Sequence, residues 1–212
     1  IERIIMKNPE IENGIRHLEK NDHLMASIIK KAGNCKLKAH REYYSSLLEA
    51  IIGQQLSMKA ADSIIGKFKN YFGGSSPAPE LILQTEDQVL RALGLSNAKV
   101  KYVKDLSEKL VCKTITFRKI NLKEDEEIIT ELTKVKGVGL WTAHMFLIFT
   151  LCRLNVLPVG DLGIKKAIML NYNLKVLPDE KTVVSISKKY KWEPYNSIAS
   201  WYLWKSLEFQ NR

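Results

Sequence analysis

From Leu132 to Phe146 the sequence reads LTKVKGVGLWTAHMF, and this stretch decides the fold. A helical segment ends at Val135–Lys136, the triplet Gly137-Val138-Gly139 follows, and a strongly apolar helix begins. Two glycines one residue apart permit a tight reversal with positive φ and leave backbone N–H groups uncovered. Those groups sit at the start of the second helix, where the positive end of the helix dipole favours an anion. A duplex phosphate fits such a place without any base being read. A plain corner between two helices fits the same triplet.

Outward from the hairpin the chain reads as helix after helix. Tyr44, Leu47, Leu48, Ile51 and Ile52 keep helical spacing within 43–52. Ser57 caps a helix that carries Ala60, Ala61, Ile64, Ile65 and Phe68. Thr85 with Gln88 forms a capping box ahead of Val89, Leu90 and Leu93, and Gly94 stops that helix. Ser96 starts the next, through Val100, Val103, Leu106 and Leu110. Further helices are expected at about 124–135, 140–152, 162–171, 179–190 and 195–209. Residues 73–79, GGSSPAP, read as a loop, and Pro158 argues against a strand at 156–159. The expected class is all-α, with two helical lobes and a cleft between them. The hairpin lobe spans about 43–153, and N- and C-terminal helices of about 1–42 and 154–212 form the other.

The 212 residues carry 33 Lys and Arg against 23 Asp and Glu, a net charge of +10. That balance points to nucleic acid or another anionic surface. Cys35, Cys112 and Cys152 form no CxxC pair and no zinc or iron–sulfur spacing, which fits a reducing compartment. No secretory leader is read, and the apolar run Trp141–Leu151 is too short to span a bilayer. The expectation is a soluble intracellular protein. His17, His23, His40 and His144 lack metal-like pairing and read as structural or surface residues.

About twenty residues past the hairpin, Val156-Leu157-Pro158-Val159-Gly160-Asp161-Leu162-Gly163-Ile164 places a carboxylate at a helix start. On its own Asp161 reads as an N-cap.

Taken together, the pattern Leu132-x-x-Val135-x-Gly137-Val138-Gly139-x-Trp141-Thr142-Ala143 and the spaced Asp161 resemble the helix-hairpin-helix DNA glycosylases. Lys136 stands where the family's hairpin usually has Pro. Within the superfamily, Gly-Asp-Leu-Gly, the Gln54-Gln55-Leu56-Ser57 turn and the segment Trp192 to Trp204 resemble the 3-methyladenine DNA glycosylase II branch, in its compact form without an N-terminal β-rich domain.

The resemblance implies hydrolysis of the N-glycosidic bond of alkylated purines, with Asp161 as the catalytic carboxylate. Breaking that bond builds oxocarbenium character on the sugar, and a fixed negative charge stabilises it. Trp141, Trp204 and Met145 are the implied base pocket. Trp192 and Trp201 read as core. Gln55, with Leu56 second, is the implied wedge that fills the gap left by a flipped nucleotide. Lys136, Gly137 and Gly139 are implied to meet the DNA backbone. Lys99, Lys101, Lys165 and Lys166 are phosphate contacts or solvated surface lysines. Main-chain carbonyls of Thr133, Val135 and Val138 are implied to hold a Na⁺ or K⁺ ion, with no other cofactor.

Bifunctional relatives carry a Lys two residues after the second hairpin glycine. Trp141 stands there, so no lyase step is expected. The implied partner is double-stranded DNA with a damaged base, bound by a monomer without membrane attachment. The location is cytoplasm or nucleoid in a bacterium or archaeon and nucleus in a eukaryote. A glycosylase for deaminated or oxidised bases, and a non-catalytic duplex-binding module, remain alternatives.

Overall fold

The computed structural model describes residues 9–210, and among them there are twelve α-helices and no strand. Two compact units divide the chain. One is contiguous, His40–Phe146; the other joins the chain up to Ala39 with the chain from Leu147 onward. The divisions therefore fall three and seven residues before the positions expected at 42/43 and 153/154.

The contiguous unit contains α3 (Tyr43–Gly53), α4 (Met58–Tyr71), α5 (Pro79–Gln84), α6 (Asp87–Ala92), α7 (Asn97–Val111), α8 (Asp125–Leu132) and α9 (Leu140–Met145). Helix α3 packs on α4 and α7, and α7 on α5 and α6. Leu47, Leu48, Ile51 and Ile52 of α3 and Val100, Val103 and Leu106 of α7 are almost fully buried. Each such side chain contributes about 1.5–3 kcal/mol, against about 1 kcal/mol for a cap. Burial therefore holds the helices and caps set their ends. Ser57 accepts from the Ala60 N–H and Ser96 from the Lys99 N–H, both at 3.3 Å. Glu124 and Glu127 form a reciprocal capping box at the start of α8 that the sequence reading missed.

Three expectations need correction. Thr85 does not open a helix: its Oγ1 donates to the Leu81 carbonyl at 2.7 Å and closes α5, and α6 begins after Glu86 with no side-chain cap. A threonine hydroxyl can turn back to the i−4 carbonyl as readily as forward to a cap, and here the backward bond wins. Pro79 belongs to α5 rather than to the loop, at the first helical position, where its missing N–H costs nothing. The helix expected over 140–152 is α9 only to Met145, after which Phe146–Thr150 widen into a π-helical turn.

The discontinuous unit contains α1 (Pro9–Asn21), α2 (His23–Ala32), α10 (Leu162–Asn171), α11 (Glu180–Lys189) and α12 (Asn196–Gln210). Helix α12 packs on α1, α2 and α10. A buried carboxylate between α1 and α2 ties this unit together. Asp22 is fully buried, and its Oδ1 caps α2 by accepting the Leu24 and Met25 N–H groups at 3.0 Å each. Its Oδ2 accepts Tyr172 Oη–H at 2.5 Å and Trp192 Nε1–H at 2.9 Å. Four donors thus satisfy one buried charge, the condition under which it is tolerated. Burial, with the Asp22 charge beside it, drives the Tyr172 phenol far above its ordinary pKa. Trp192 and Trp201 are buried, as a core reading requires.

Candidate functional site

In the contiguous unit the hairpin is built by α8, the loop 133–139 and α9. Leu132, Val135 and Val138 bury their side chains, which fixes the loop from beneath. The Val135 N–H donates to the Leu132 carbonyl at 3.1 Å, and the Val138 N–H to the Val135 carbonyl at 3.0 Å. Gly137 has φ +81°, and a Cβ there would lie 2.2 Å from the Tyr102 ring. Both the left-handed backbone and the tyrosine packed against it require glycine. Gly139 differs from the expectation: its backbone is extended (φ −97°, ψ −180°), so only one of the two glycines makes the reversal. Gly139 serves instead as a cap residue without a side chain, and no atom lies within 4 Å of its Cβ position.

Three residues with no such role expected from the sequence hold this loop. Gln54 donates from Nε2 to the Gly137 carbonyl at 2.8 Å and to Thr142 Oγ1 at 3.3 Å. Asp105, buried in α7, accepts the Lys136 N–H on Oδ2 at 2.8 Å and the Lys109 ammonium at 2.6 Å. Tyr102 is the third. Lys136 in place of Pro supplies the N–H that Asp105 takes, a donor that proline lacks. Its ammonium stands 3.4 Å from Asp105 Oδ1 while the side chain remains largely exposed.

The turn after α3 presents the wedge candidates. Gln55 is a non-glycine residue at φ +57° and is exposed; Leu56 is 37% exposed, and its N–H donates to the Gly53 carbonyl at 3.2 Å. Lys99 lies in the first turn of α7, where partial burial lowers its ammonium pKa. Lys101 is exposed on the same helix. On α9, Trp141 is half exposed and Met145 partly buried.

The discontinuous unit holds the other constellation. Asp161 is the N-cap of α10; its Oδ1 accepts the Ile164 N–H at 2.8 Å and Trp204 Nε1–H at 2.9 Å. Its side chain is 9% exposed. The Trp204 ring lies against Phe149, centroids 5.5 Å apart at 32°. Helix α12 positions both partners. Ser197 in its first turn ties down the approach to Asp161: its N–H donates to the Leu154 carbonyl and its Oγ accepts the Val156 N–H, each at 2.9 Å. Trp204 follows seven residues later, two turns along the same face of α12. Asp161's own N–H donates to the Pro158 carbonyl at 2.9 Å. Lys165 and Lys166 lie in α10, the first partly buried and the second exposed.

Trp204 and Asp161 are therefore brought into direct contact, as are the Gln54 turn and the hairpin. These are two separate constellations, one in each unit. Histidines take structural positions: His17 Nε2 is 2.6 Å from the Lys191 carbonyl oxygen, and His23 lies against Tyr190. Burial lowers the His144 pKa, against the opposing charge of Asp125. Among the described residues no group of three His, Cys, Asp or Glu side chains could hold a metal ion, and no helix is long and apolar enough to cross a membrane.

Compared with known proteins, residues 48–191 match the family model of the HhH-GPD superfamily base excision DNA repair proteins. The chain is 33% identical over 204 residues to the alkylbase DNA glycosidase-like protein mag2 of Schizosaccharomyces pombe, covering 94% of this chain and 95% of that one. It is 33% identical over 195 residues to DNA-3-methyladenine glycosylase 1 of the same yeast, covering 90% and 85%. Among solved structures it is similar to the S. pombe 3-methyladenine DNA glycosylase Mag1 in complex with abasic DNA, with TM-score 0.84, 32% identity and coverage of 92% and 97%.

Proposed function

Because the chain belongs to the HhH-GPD superfamily of base excision DNA repair proteins, we propose that it binds duplex DNA and excises alkylated purines by hydrolysing their N-glycosidic bonds. The observation that carries this reading is Asp161 held on Oδ1 by two donors, one of them the indole N–H of Trp204. Two N–H donors on one oxygen suit a carboxylate, an acceptor-only group.

The reaction breaks the bond between the sugar C1′ and the purine nitrogen. Its electron pair goes to the base, and an alkylated base with a formal positive charge leaves neutral. Such a base is already a good leaving group, so a strong general acid is not required. The positive charge left on the sugar is stabilised by Asp161. Water then forms the new C1′–O bond and gives up one proton. The half-exposed indole of Trp141 and the partly buried indole of Trp204 each favour a cationic base over a neutral one by about 0.5–2 kcal/mol. Met145 adds apolar surface on α9. Position 141 offers no amine, so no Schiff base forms and the strand is left uncut.

Gln55 at the exposed tip of its turn is the first choice to enter the stack, with Leu56 second. Backbone N–H groups of Gly137 and Gly139 meet a phosphate, and Lys99, Lys136 and Lys165 add charge. Carbonyl oxygens of Thr133, Val135 and Val138 are hard neutral donors that suit Na⁺ or K⁺. The buried Val135 and Val138 side chains hold that loop in one conformation, the rigidity such a site needs. The working species is a monomer on damaged duplex DNA.

The test is to incubate the protein with methylated duplex DNA and identify the bases released. Release of 3-methyladenine or 7-methylguanine supports the reading. Release of uracil or 8-oxoguanine alone overturns the substrate class, and no release overturns the enzymatic reading.

A further inference from the structure

Gly163 is the second residue of α10, and its backbone is not left-handed. Glycine is among the weakest helix formers, so backbone demands do not account for it. Its surroundings do. A Cβ at 163 would stand 3.0 Å from Asp161 Oδ1, 3.0 Å from Trp204 Cδ1 and 3.1 Å from Trp204 Nε1. All three atoms belong to the hydrogen bond between indole and carboxylate or border it. They are not loose ends of flexible chains. Asp161 Oδ1 is also held by the Ile164 N–H, and the Trp204 ring lies against Phe149. A methyl group here has no soft neighbour to displace except the bond itself.

We propose that Gly163 is a positioning residue of the reaction, and that its missing side chain is the space through which the Trp204 indole reaches and aims the Asp161 carboxylate. The inference rests on Asp161 being the catalytic carboxylate. It assigns to Gly163 no contact with DNA or base. A side chain at 163 drives the indole and the carboxylate apart by a few tenths of an ångström, turning the charge from its line to the sugar. Helix propensity alone gives the opposite expectation, since alanine at an ordinary helical position strengthens the helix.

The experiment compares the unchanged protein with Gly163→Ala, Gly163→Leu, Trp204→Phe and the Gly163→Ala/Trp204→Phe double variant. Single-turnover release of 3-methyladenine from methylated duplex, affinity for a duplex with an abasic-site analogue, and thermal midpoint are measured for each. Gly163→Ala is expected to slow excision about 10-fold and Gly163→Leu about 100-fold, with duplex affinity held within about threefold, because small misplacements of a catalytic group act on the chemical step. Trp204→Phe removes the indole N–H, so alanine at 163 costs little more in the double variant than in Trp204→Phe alone. Should Gly163→Ala fail to melt cooperatively, recovery of folding in the double variant supports the clash with Trp204, and absence of recovery overturns it. An unchanged excision rate in Gly163→Ala, or losses that multiply in the double variant, overturn the inference while leaving the functional reading intact. If the unchanged protein releases no base, the functional reading falls and this inference with it.

Discussion

The Trp204 indole nitrogen lies 2.9 Å from Asp161 Oδ1, a bond between residues 43 apart in sequence. The same oxygen takes the Ile164 N–H from its own helix. The carboxylate is thus fixed from two directions, by α10 and by α12. Neither donor can neutralise it.

Replacing Asp161 with Asn keeps an acceptor for both donors and removes the charge. Excision of 3-methyladenine is expected to fall about 100- to 1,000-fold, the usual cost of losing a preorganised stabiliser of transition-state charge. Binding to an abasic-analogue duplex stays near the original. Single-turnover kinetics and duplex titration check both, and full excision by the Asn variant would remove Asp161 from the mechanism.

Gln54→Ala leaves the Gly137 carbonyl and Thr142 without their Gln54 partner. The loss, roughly 1 kcal/mol for a partly exposed neutral bond, appears as weaker duplex binding, about fivefold. The net charge of +10 makes that affinity fall steeply with salt. An affinity for undamaged duplex that Gln54→Ala leaves unchanged would separate the turn from the hairpin's role.

Burial by itself raises the Asp105 pKa, but the Lys109 ammonium, the Lys136 N–H and the Lys136 ammonium outweigh it and hold the carboxyl below its ordinary 3.8. A depressed folded value means that its stabilisation is present above 3.8 and lost as pH falls through the lower folded value. Asp105→Asn should therefore be less stable near neutral pH, by about 1–3 kcal/mol, and match the original protein in strong acid. Thermal midpoints across the acid range test this. A constant gap between the two curves would contradict it.

Asp22→Ala strands Tyr172 Oη–H, Trp192 Nε1–H and two α2 backbone N–H groups. At about 1–3 kcal/mol for a buried donor left unpaired, the loss is at least about 4 kcal/mol and lies in the discontinuous unit. Hydrogen exchange should rise in α1, α2 and α12 before it rises in α3 and α7. Uniform loss of protection would show that Asp22 stabilises more than its own unit.

Much of this was legible from local signals. Ser57, Ser96 and Asp161 each cap a helix within three residues of themselves, and short-range chemistry of that kind is written in adjacent letters. The hairpin is legible for the same reason. Thr85 shows the limit, because a backward and a forward bond compete at one hydroxyl and the sequence pattern fits both. Gly139 shows another, since a glycine pair does not say which member carries the positive φ. Gln54 and Asp105 bond across 83 and 31 residues, distances no spacing rule covers. Gly163 lies inside the Gly-Asp-Leu-Gly motif, but its meaning lies in an indole from another helix.

The buried carboxylate at position 22 also sets an order of events. Its Tyr172 and Trp192 partners stand 150 and 170 residues further along the chain. On a ribosome the first two helices emerge with their central charge still waiting for donors not yet synthesised. Residues 40–146 form a contiguous segment, so that unit is synthesised whole before Tyr172 or Trp192. The unit that carries Asp161 is therefore completed last, after every residue of the hairpin has been made.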